Sequence, residues 1–381
     1  MKIVMEKNAR ASIETFESYK CRLLYHPEVK EKWKIAFNNR SDMALYEDIY
    51  VEEYIGMDSD AWLLYYITVG GCLNVASIAN LSDAYVNKYS DMNAYDYEKG
   101  RGHDALRARL SALLRAGFLL RITYDYYLSP DCYGIEHASE KMSHGAALYL
   151  PTPIGTNYMN EKLGATEVVK RFTPSGRPQN VLGSAASGFA MSMLVKEAFK
   201  KPFLKVEHES GMFNDNQTFR LDAELKITDE SVPENPQRSY VAFIHGYVDE
   251  DNSIPDSVRE KYIRKRCDFM LRYVRKRHPE SKWDKSRMAN VIVMVNGKRG
   301  LEKFLTAFQS LMNSTTGIDT NSEEFREQLG HIYITSEGAI QECGSLAGAL
   351  FAIRDFYVTD KETGERKLRA MHVLQKVKPF F

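Results

Sequence analysis

Residues 218–227, TFRLDAELKI, alternate strictly: Phe219, Leu221, Ala223, Leu225 and Ile227 are apolar, with Arg220, Asp222, Glu224 and Lys226 between them. A period of two predicts a strand with one face on a core and a charged row on the other. Upstream the spacing changes. Residues 1–57 are polar and aromatic, with helical stretches near 13–24 and 28–37, and are expected to pack as an extension on the neighbouring module. From Asp58 or Ser59, either of which can cap, a helix is predicted over 61–69, ended by Gly70-Gly71; NVASIANL (74–81) begins a second. In HDALRARLSALLRAGF (103–118), Leu106, Leu110, Leu113 and Leu114 share one helical face, and Gly117 ends the helix. FLLRITY (118–124) and AALYLP (146–151) are strands on either side of a polar excursion, and TPIGTNYMNEKLG (152–164) reads as a further helix.

Helix, helix, longer helix, hairpin is the order of a winged helix-turn-helix, here over 58–172. A Pro-, Gly- and Ser-rich stretch, 173–187, reads as a linker to a second module, 188–381. That module opens with a predicted helix over 188–200, with Met191, Leu194, Val195 and Ala198 on one side and Glu197 on a polar side. Strands follow at 204–208, at the alternating segment, and at YVAFIHGYVD (240–249), which is apolar on both faces and therefore central. A long helix over 258–277, a buried strand ANVIVMV (289–295), a helix over 300–312, a strand HIYIT (331–335) and a hairpin around 362–365 complete the pattern. The expected fold is thus multidomain α+β and α/β, a winged helix followed by a mixed sheet with helices on its faces.

Composition changes this picture little. The 381 residues suffice for two or three domains, and formal net charge is zero. Five scattered cysteines without a CxxC pair point to a reducing compartment, and the absence of a leader or a long apolar run points to a cytoplasmic chain without a membrane partner. Local charge says more. Residues 229–256 hold seven acids and one base; residues 259–287 hold twelve bases and four acids. The helix REKYIRKRCDFMLRYVRKR, with Tyr262 and Tyr273 interleaved, suits either a solvated face or a groove for a nucleic-acid backbone through Lys261, Arg264, Lys265 and Arg272. On the winged helix, Arg101, His103, Arg107, Arg109 and Arg115 suit phosphate contact and guanine reading in a major groove of double-stranded DNA; protein contacts alone are the other use of such a helix.

The third helix, Arg107-x-Arg109-Leu110-x-x-Leu113-x-x-Ala116-Gly117-Phe118-Leu119, and the return Leu150-Pro151-Thr152-Pro153-Ile154-Gly155 are followed by a strand with Asp222-Ala223, a further strand, a basic helix and a Val-rich strand. Over about 58–340 this order resembles the replication-relaxation family of plasmids and integrative elements, itself similar to mobilisation relaxases with a PD-(D/E)xK restriction-endonuclease-like core. The resemblance implies a protein acting at a transfer or replication origin, with relaxosome or replication proteins as partners; a homodimer is compatible with that role. It also implies a carboxylate on the strand after Asp222, where this chain has His245 and Tyr247, and Leu221 stands where the family has proline.

Cleavage of the PD-(D/E)xK type needs two carboxylates on Mg²⁺ and a lysine or its equivalent beside the attacking water. Three readings remain open. Asp215, Glu224 and Lys226 could form a shifted site, with Asp222 on the same strand face as Glu224. Asp222 and Glu197 could hold the metal, with His245 as ligand or general acid/base and Tyr247 as donor or nucleophile, a set that favours Mn²⁺. Or the core has lost cleavage and binds only, as a relaxosome accessory or as a winged-helix regulator whose second module senses a partner or ligand. A histidine-cluster tyrosine relaxase is disfavoured because His245 stands alone on its strand, and the Tyr124, Tyr126 and Tyr127 group falls on the hairpin. Asn296–Gly300 (NGKRG) reads as a basic turn and not as a phosphate loop.

Overall fold

The computed structural model describes residues 4–5, 21–22, 58–88, 118–128, 144–151, 178–208, 221–246 apart from Asn235, 255–277, 287–295, 297–314, 329–359 and 366–376, with short pairs at 106–107, 109–110, 113–114, 155–156 and 158–159. Two sheets organise them. Strands β1 (Val4–Met5), β2 (Cys21–Arg22), β3 (Leu73–Asn74), β4 (Leu119–Leu128) and β5 (His144–Pro151) come first; β6 (Leu204–His208), β7 (Ala223–Asp229), β8 (Gln237–His245), β9 (Arg287–Met294), β10 (Ile332–Thr335), β11 (Phe351–Thr359) and β12 (Arg366–Lys376) follow. The smaller sheet runs β2-β4-β5-β3, and the larger β1-β12-β11-β10-β9-β8-β7-β6.

The smaller sheet belongs to the first module. Helix α1 (Asp58–Gly70) ends at the glycine pair, where Gly71 takes φ 70, and β3 pairs with β5 before helix α2 (Val75–Lys88) begins. Asn74 caps α2 by accepting the Ser77 backbone N–H at 2.8 Å. The described residues at 106–114 are helical, and Leu106, Leu110 and Leu113 are buried, as their spacing predicts. β4 and β5 then form an antiparallel hairpin from Leu119↔Pro151 to Tyr126↔His144. Cys21 and Arg22, expected in a helix, instead pair with Leu128 and Tyr127: the edge of β4 offers backbone donors and acceptors that outweigh local propensity.

In the second module the order is helix α3 (Pro178–Ala198), the antiparallel meander β6-β7-β8, helix α4 (Asp256–Arg277), and β9 parallel to β8. Helix α5 (Gly297–Ser314) returns the chain to β10, parallel to β9; the short helix α6 (Glu337–Cys343) and the antiparallel hairpin β11–β12 extend the sheet. Gly297–Gly300 of the NGKRG segment are therefore the start of α5 rather than a free turn.

Helix α3 corrects the expected domain boundary. Residues 178–187 are its first turns and not a linker. From Gly183 to Val195 the helix is apolar or small all round because it is buried on two sides. One core cluster joins Leu63 and Ile67 of α1, Ile78 and Leu81 of α2, Phe189 and Leu194 of α3, and Leu225, Val241 and Phe243 of the sheet. A separate cluster on the opposite face of the sheet joins Ala242, Ile244 and Val293 to Cys267, Met270 and Val274 of α4 and Phe304 and Phe308 of α5. Thus α3 and the first module cover one face, and α4 and α5 the other. Two glycines set the fit of α3. A Cβ on Gly188 would lie 2.3 Å from Leu73 of β3, and one on Gly183 would lie 2.2 Å from the His245 ring.

Candidate functional site

The alternating segment does not behave as one regular strand. β7 starts only at Ala223, and both its faces are covered, so the polar row is not a solvated surface. Ala223, Leu225 and Ile227 lie in the α3-side core, as the period requires. At Asp222 the phase flips: Leu221 packs with the α4-side cluster, and the Asp222 carboxylate turns toward α3. The ladder explains the turn. The Asp222 N–H still donates to the Phe243 carbonyl at 2.9 Å, but the next donor on β8, the His245 N–H, goes to Asp222 Oδ2 at 2.7 Å, a side-chain oxygen taking the place of a main-chain one.

Around that carboxylate a complete shell assembles. Ser184 Oγ donates to Oδ1 at 3.1 Å, and Ser187 Oγ to Oδ2 at 2.8 Å; the two serines lie three residues apart on one face of α3. His245 Nδ1 stands 2.9 Å from Oδ1 and 2.8 Å from Oδ2. Behind the histidine, Arg266 of α4 donates through one terminal nitrogen to the His245 carbonyl at 2.7 Å and through the other to the Tyr262 hydroxyl at 2.9 Å, with its guanidinium over the Tyr262 ring.

Burial acts to raise the Asp222 pKa, but the adjacent His245, its hydrogen bond, Arg266 and the Ser187 hydroxyl outweigh it and hold the group down at about 2. Burial, then the charge of Arg266, pushes His245 below its ordinary value against the opposing pull of Asp222. The consistent state is an aspartate anion, a neutral imidazole donating its Nδ1–H, and a guanidinium cation one residue's breadth away. The thiol of Cys72, just before β3, is pushed up by burial and by Asp222. A buried anion with this many donors and a nearby cation is a structural ion centre. The serines donate to the carboxylate and not to the imidazole, so neither is activated as a nucleophile.

The other expected ligands lie elsewhere. Glu197, at the far end of α3, accepts the Leu346 and Ala347 backbone N–H groups, the latter at 3.2 Å, and so caps the turn after α6. Glu224 does not share a face with Asp222: it is buried on the α4 side and accepts from the Tyr273 hydroxyl at 2.6 Å. Lys226 is bound to Glu207 on β6 at 3.1 Å. Asp215 and Tyr247 lie outside the described residues. Asp222, Glu197, Glu224 and His245 therefore do not fit a Mg²⁺ or Mn²⁺ site, because the three carboxylates are committed to protein donors in three separate places and His245 adjoins Asp222 alone. Among the described residues no group of three or more His, Cys, Asp or Glu could hold a metal ion.

The basic residues divide as well. Arg107 is exposed and Arg109 half-buried on the helical segment, while Arg101, His103 and Arg115 fall outside the described residues. On α4, Lys261 and Lys265 are exposed and Arg264 and Arg272 half-buried, Arg272 pairing with Asp268 at 3.0 Å. Tyr273 is not interleaved with these bases at the surface, since it is fully buried against Glu224. Sequence reasoning missed Ser184, Ser187, Gly183 and Arg266. The first three sat in the stretch read as linker, where the i, i+3 spacing of the serines was the available signal.

The chain matches no protein-family model, no curated protein and no solved structure. Among the described residues no helix is long and apolar enough to cross a membrane.

Proposed function

We propose that this chain binds duplex DNA through the 106–114 helix and the β4–β5 hairpin, as a non-cleaving component at a transfer or replication origin of a mobile element. Its second module would then be an endonuclease-like scaffold. Two arrangements support the reading. Helix, short strand, helix, helical segment and hairpin is the order of a winged helix, and Arg107 is exposed on the segment that would enter the groove. Helix α3, a three-stranded meander, α4 and a strand parallel to β8 is an order compatible with a PD-(D/E)xK core.

One observation carries the non-cleaving part. Both oxygens of Asp222, which the resemblance would make a metal ligand, accept from Ser184, Ser187 and His245, and the carboxyl is sealed between α3 and the sheet. Admitting a cation would strip that shell.

The binding part is tested by gel shift with a plasmid fragment from the protein's own genetic neighbourhood. Arg107→Glu with Arg109→Glu is expected to abolish the shift, and affinity of the wild type to fall steeply with salt, each lost phosphate contact removing about one unit of the log–log slope. A wild type that fails to shift the fragment at low salt contradicts the reading.

A further inference from the structure

Helix α3 serves two neighbours, and the polar centre around Asp222 accounts for only one of them. Gly183, Ser184 and Ser187 meet His245 and Asp222 of the large sheet. Gly188, Met191, Ser192 and Lys196 are spaced to line an adjoining stripe of the same helix. Together they seat three successive elements of the first module. Gly188 lies against β3: an added Cβ would come within 2.3 Å of Leu73 Cδ2 and 2.8 Å of the Cys72 carbonyl oxygen. Met191 Cε reaches Gly70 at the end of α1, 3.0 Å from where a Cβ would stand. The rest of the stripe holds α2. Asn80 Nδ2 donates to Ser192 Oγ at 3.4 Å, and Lys196 Nζ donates to Asn80 Oδ1 at 3.3 Å and to Asp83 Oδ2 at 2.6 Å.

These elements carry the surfaces that the DNA-binding reading uses. β3 pairs with β5 at Leu73↔Tyr149 and Asn74↔Leu148, at the base of the hairpin. Asn74 also caps α2, which shares its core with Leu106, Leu110 and Leu113 of the helical segment. Hairpin and helical segment are thus joined through the two residues of β3, and Gly188 presses on the first of them. From Leu148 to His144 the hairpin runs four residues, about 13 Å, so a tilt imposed at its base grows toward its far end. Leu73 is fully buried and the Cys72 oxygen is main chain, so neither can turn aside for a side chain at position 188. β3 itself has to move.

We propose that this stripe of α3 positions the DNA-binding surface: it sets the angle between the β4–β5 hairpin and the 106–114 helix, with Gly188 as the residue that fixes β3. The inference rests on the DNA-binding reading of the first module. It makes the second module part of the binding apparatus through one shared helix, acting through β3 and α2 and not by contact with DNA.

The test follows the affinity of the full chain for the plasmid fragment across a salt series, with urea unfolding of the same preparations. Gly188→Ala is expected to weaken binding by about tenfold and to lower the log–log salt slope by about one to two units, as the hairpin's phosphate contacts are lost and those of the helical segment remain. Lys196→Ala, at a half-buried position, is expected to weaken binding by about threefold, no more than its ion pair is worth. Val274→Ala, a buried change in the cluster on the other face of the sheet, should lower stability and leave affinity and slope of the folded protein as they are. Wild-type affinity and slope in folded Gly188→Ala overturn the proposal and leave the first module's role intact. A weakening that Val274→Ala reproduces at equal loss of stability also overturns it, since stability alone then explains the effect. Where Gly188→Ala does not fold, Lys196→Ala decides, and unchanged binding by it is the contrary result. Failure of the wild type to retard the fragment at low salt removes the DNA-binding reading and the inference with it.

Discussion

Lys265 and Arg266 are neighbours on α4, and their surroundings could hardly differ more. Lys265 is exposed on the outward face of α4; Arg266 is buried, bonded to the His245 carbonyl and the Tyr262 hydroxyl, and balances Asp222 through one intervening residue. Fixed partners on every side make a charge part of the fold. A charge on an exposed face contributes little to stability. The comparison separates the polar groups that build this protein from those carried on its surface.

The largest effect that could break this division is at its buried end. Asp222→Ala leaves two serine hydroxyls and the two His245 N–H groups without their acceptor and Arg266 without the nearby anion, and is expected to cost about 3–5 kcal/mol in urea unfolding. Asp222→Asn, which keeps the shape and one acceptor oxygen, should cost clearly less. A loss below about 1 kcal/mol for Asp222→Ala would put Asp222 back on a solvated strand face.

Gly183→Ala comes next. The new Cβ would lie 2.2 Å from the His245 ring, so helix and sheet must separate, at a cost of about 1–3 kcal/mol by the same measurement. DNA affinity of the folded fraction should be unchanged.

Proton linkage gives a smaller, signed effect. His245 is held neutral in the fold by burial and Arg266, while in the unfolded chain it titrates near 6.5. The unfolded state therefore takes up the proton first, and stability falls as pH drops below about 6.5. Asp222 has the same sign lower down: its contribution is whole above its ordinary 3.8 and disappears as pH falls through about 2. Urea midpoints across this range should decline on acidification, and His245→Gln should flatten the upper part of the decline. A midpoint that rises on acidification through pH 6 in the wild type alone would mean a protonated His245 in the fold.

Smallest of all, Lys265→Ala should leave stability within about 0.5 kcal/mol, in contrast to Arg266→Ala, which strips the buried His245 carbonyl of its donor and is expected to cost about 1–3 kcal/mol. Equal costs at the two positions would erase the comparison.

How much of this the sequence displayed depended on whether a residue's neighbours were local. The glycine pair after α1, the Leu106/Leu110/Leu113 face and the β4–β5 hairpin follow from helical and strand periods, and the structure has them where those periods put them. The first half of helix α3, residues 178–187, was hidden by its own packing. Gly183-Ser184-Ala185-Ala186-Ser187 has the composition of a linker, and the small residues are there because the helix is pressed between β3 and His245. The flip at Asp222 was equally out of reach, because a distant N–H on β8 directs the side chain and the strand's alternation says nothing of it. Arg266 is one base among many in REKYIRKR, and only the packing of α4 on the sheet singles it out.

The central claim is that Asp222 is a structural anion and not a metal ligand for strand cleavage. Supercoiled plasmid carrying the protein's neighbouring DNA, incubated with the wild type and Mg²⁺ or Mn²⁺ and compared with Asp222→Asn, tests it most directly. A structural Asp222 predicts a retarded but closed plasmid with either metal and either protein. Open circles produced by the wild type and not by Asp222→Asn would contradict it and place a cleaving metal at that carboxylate.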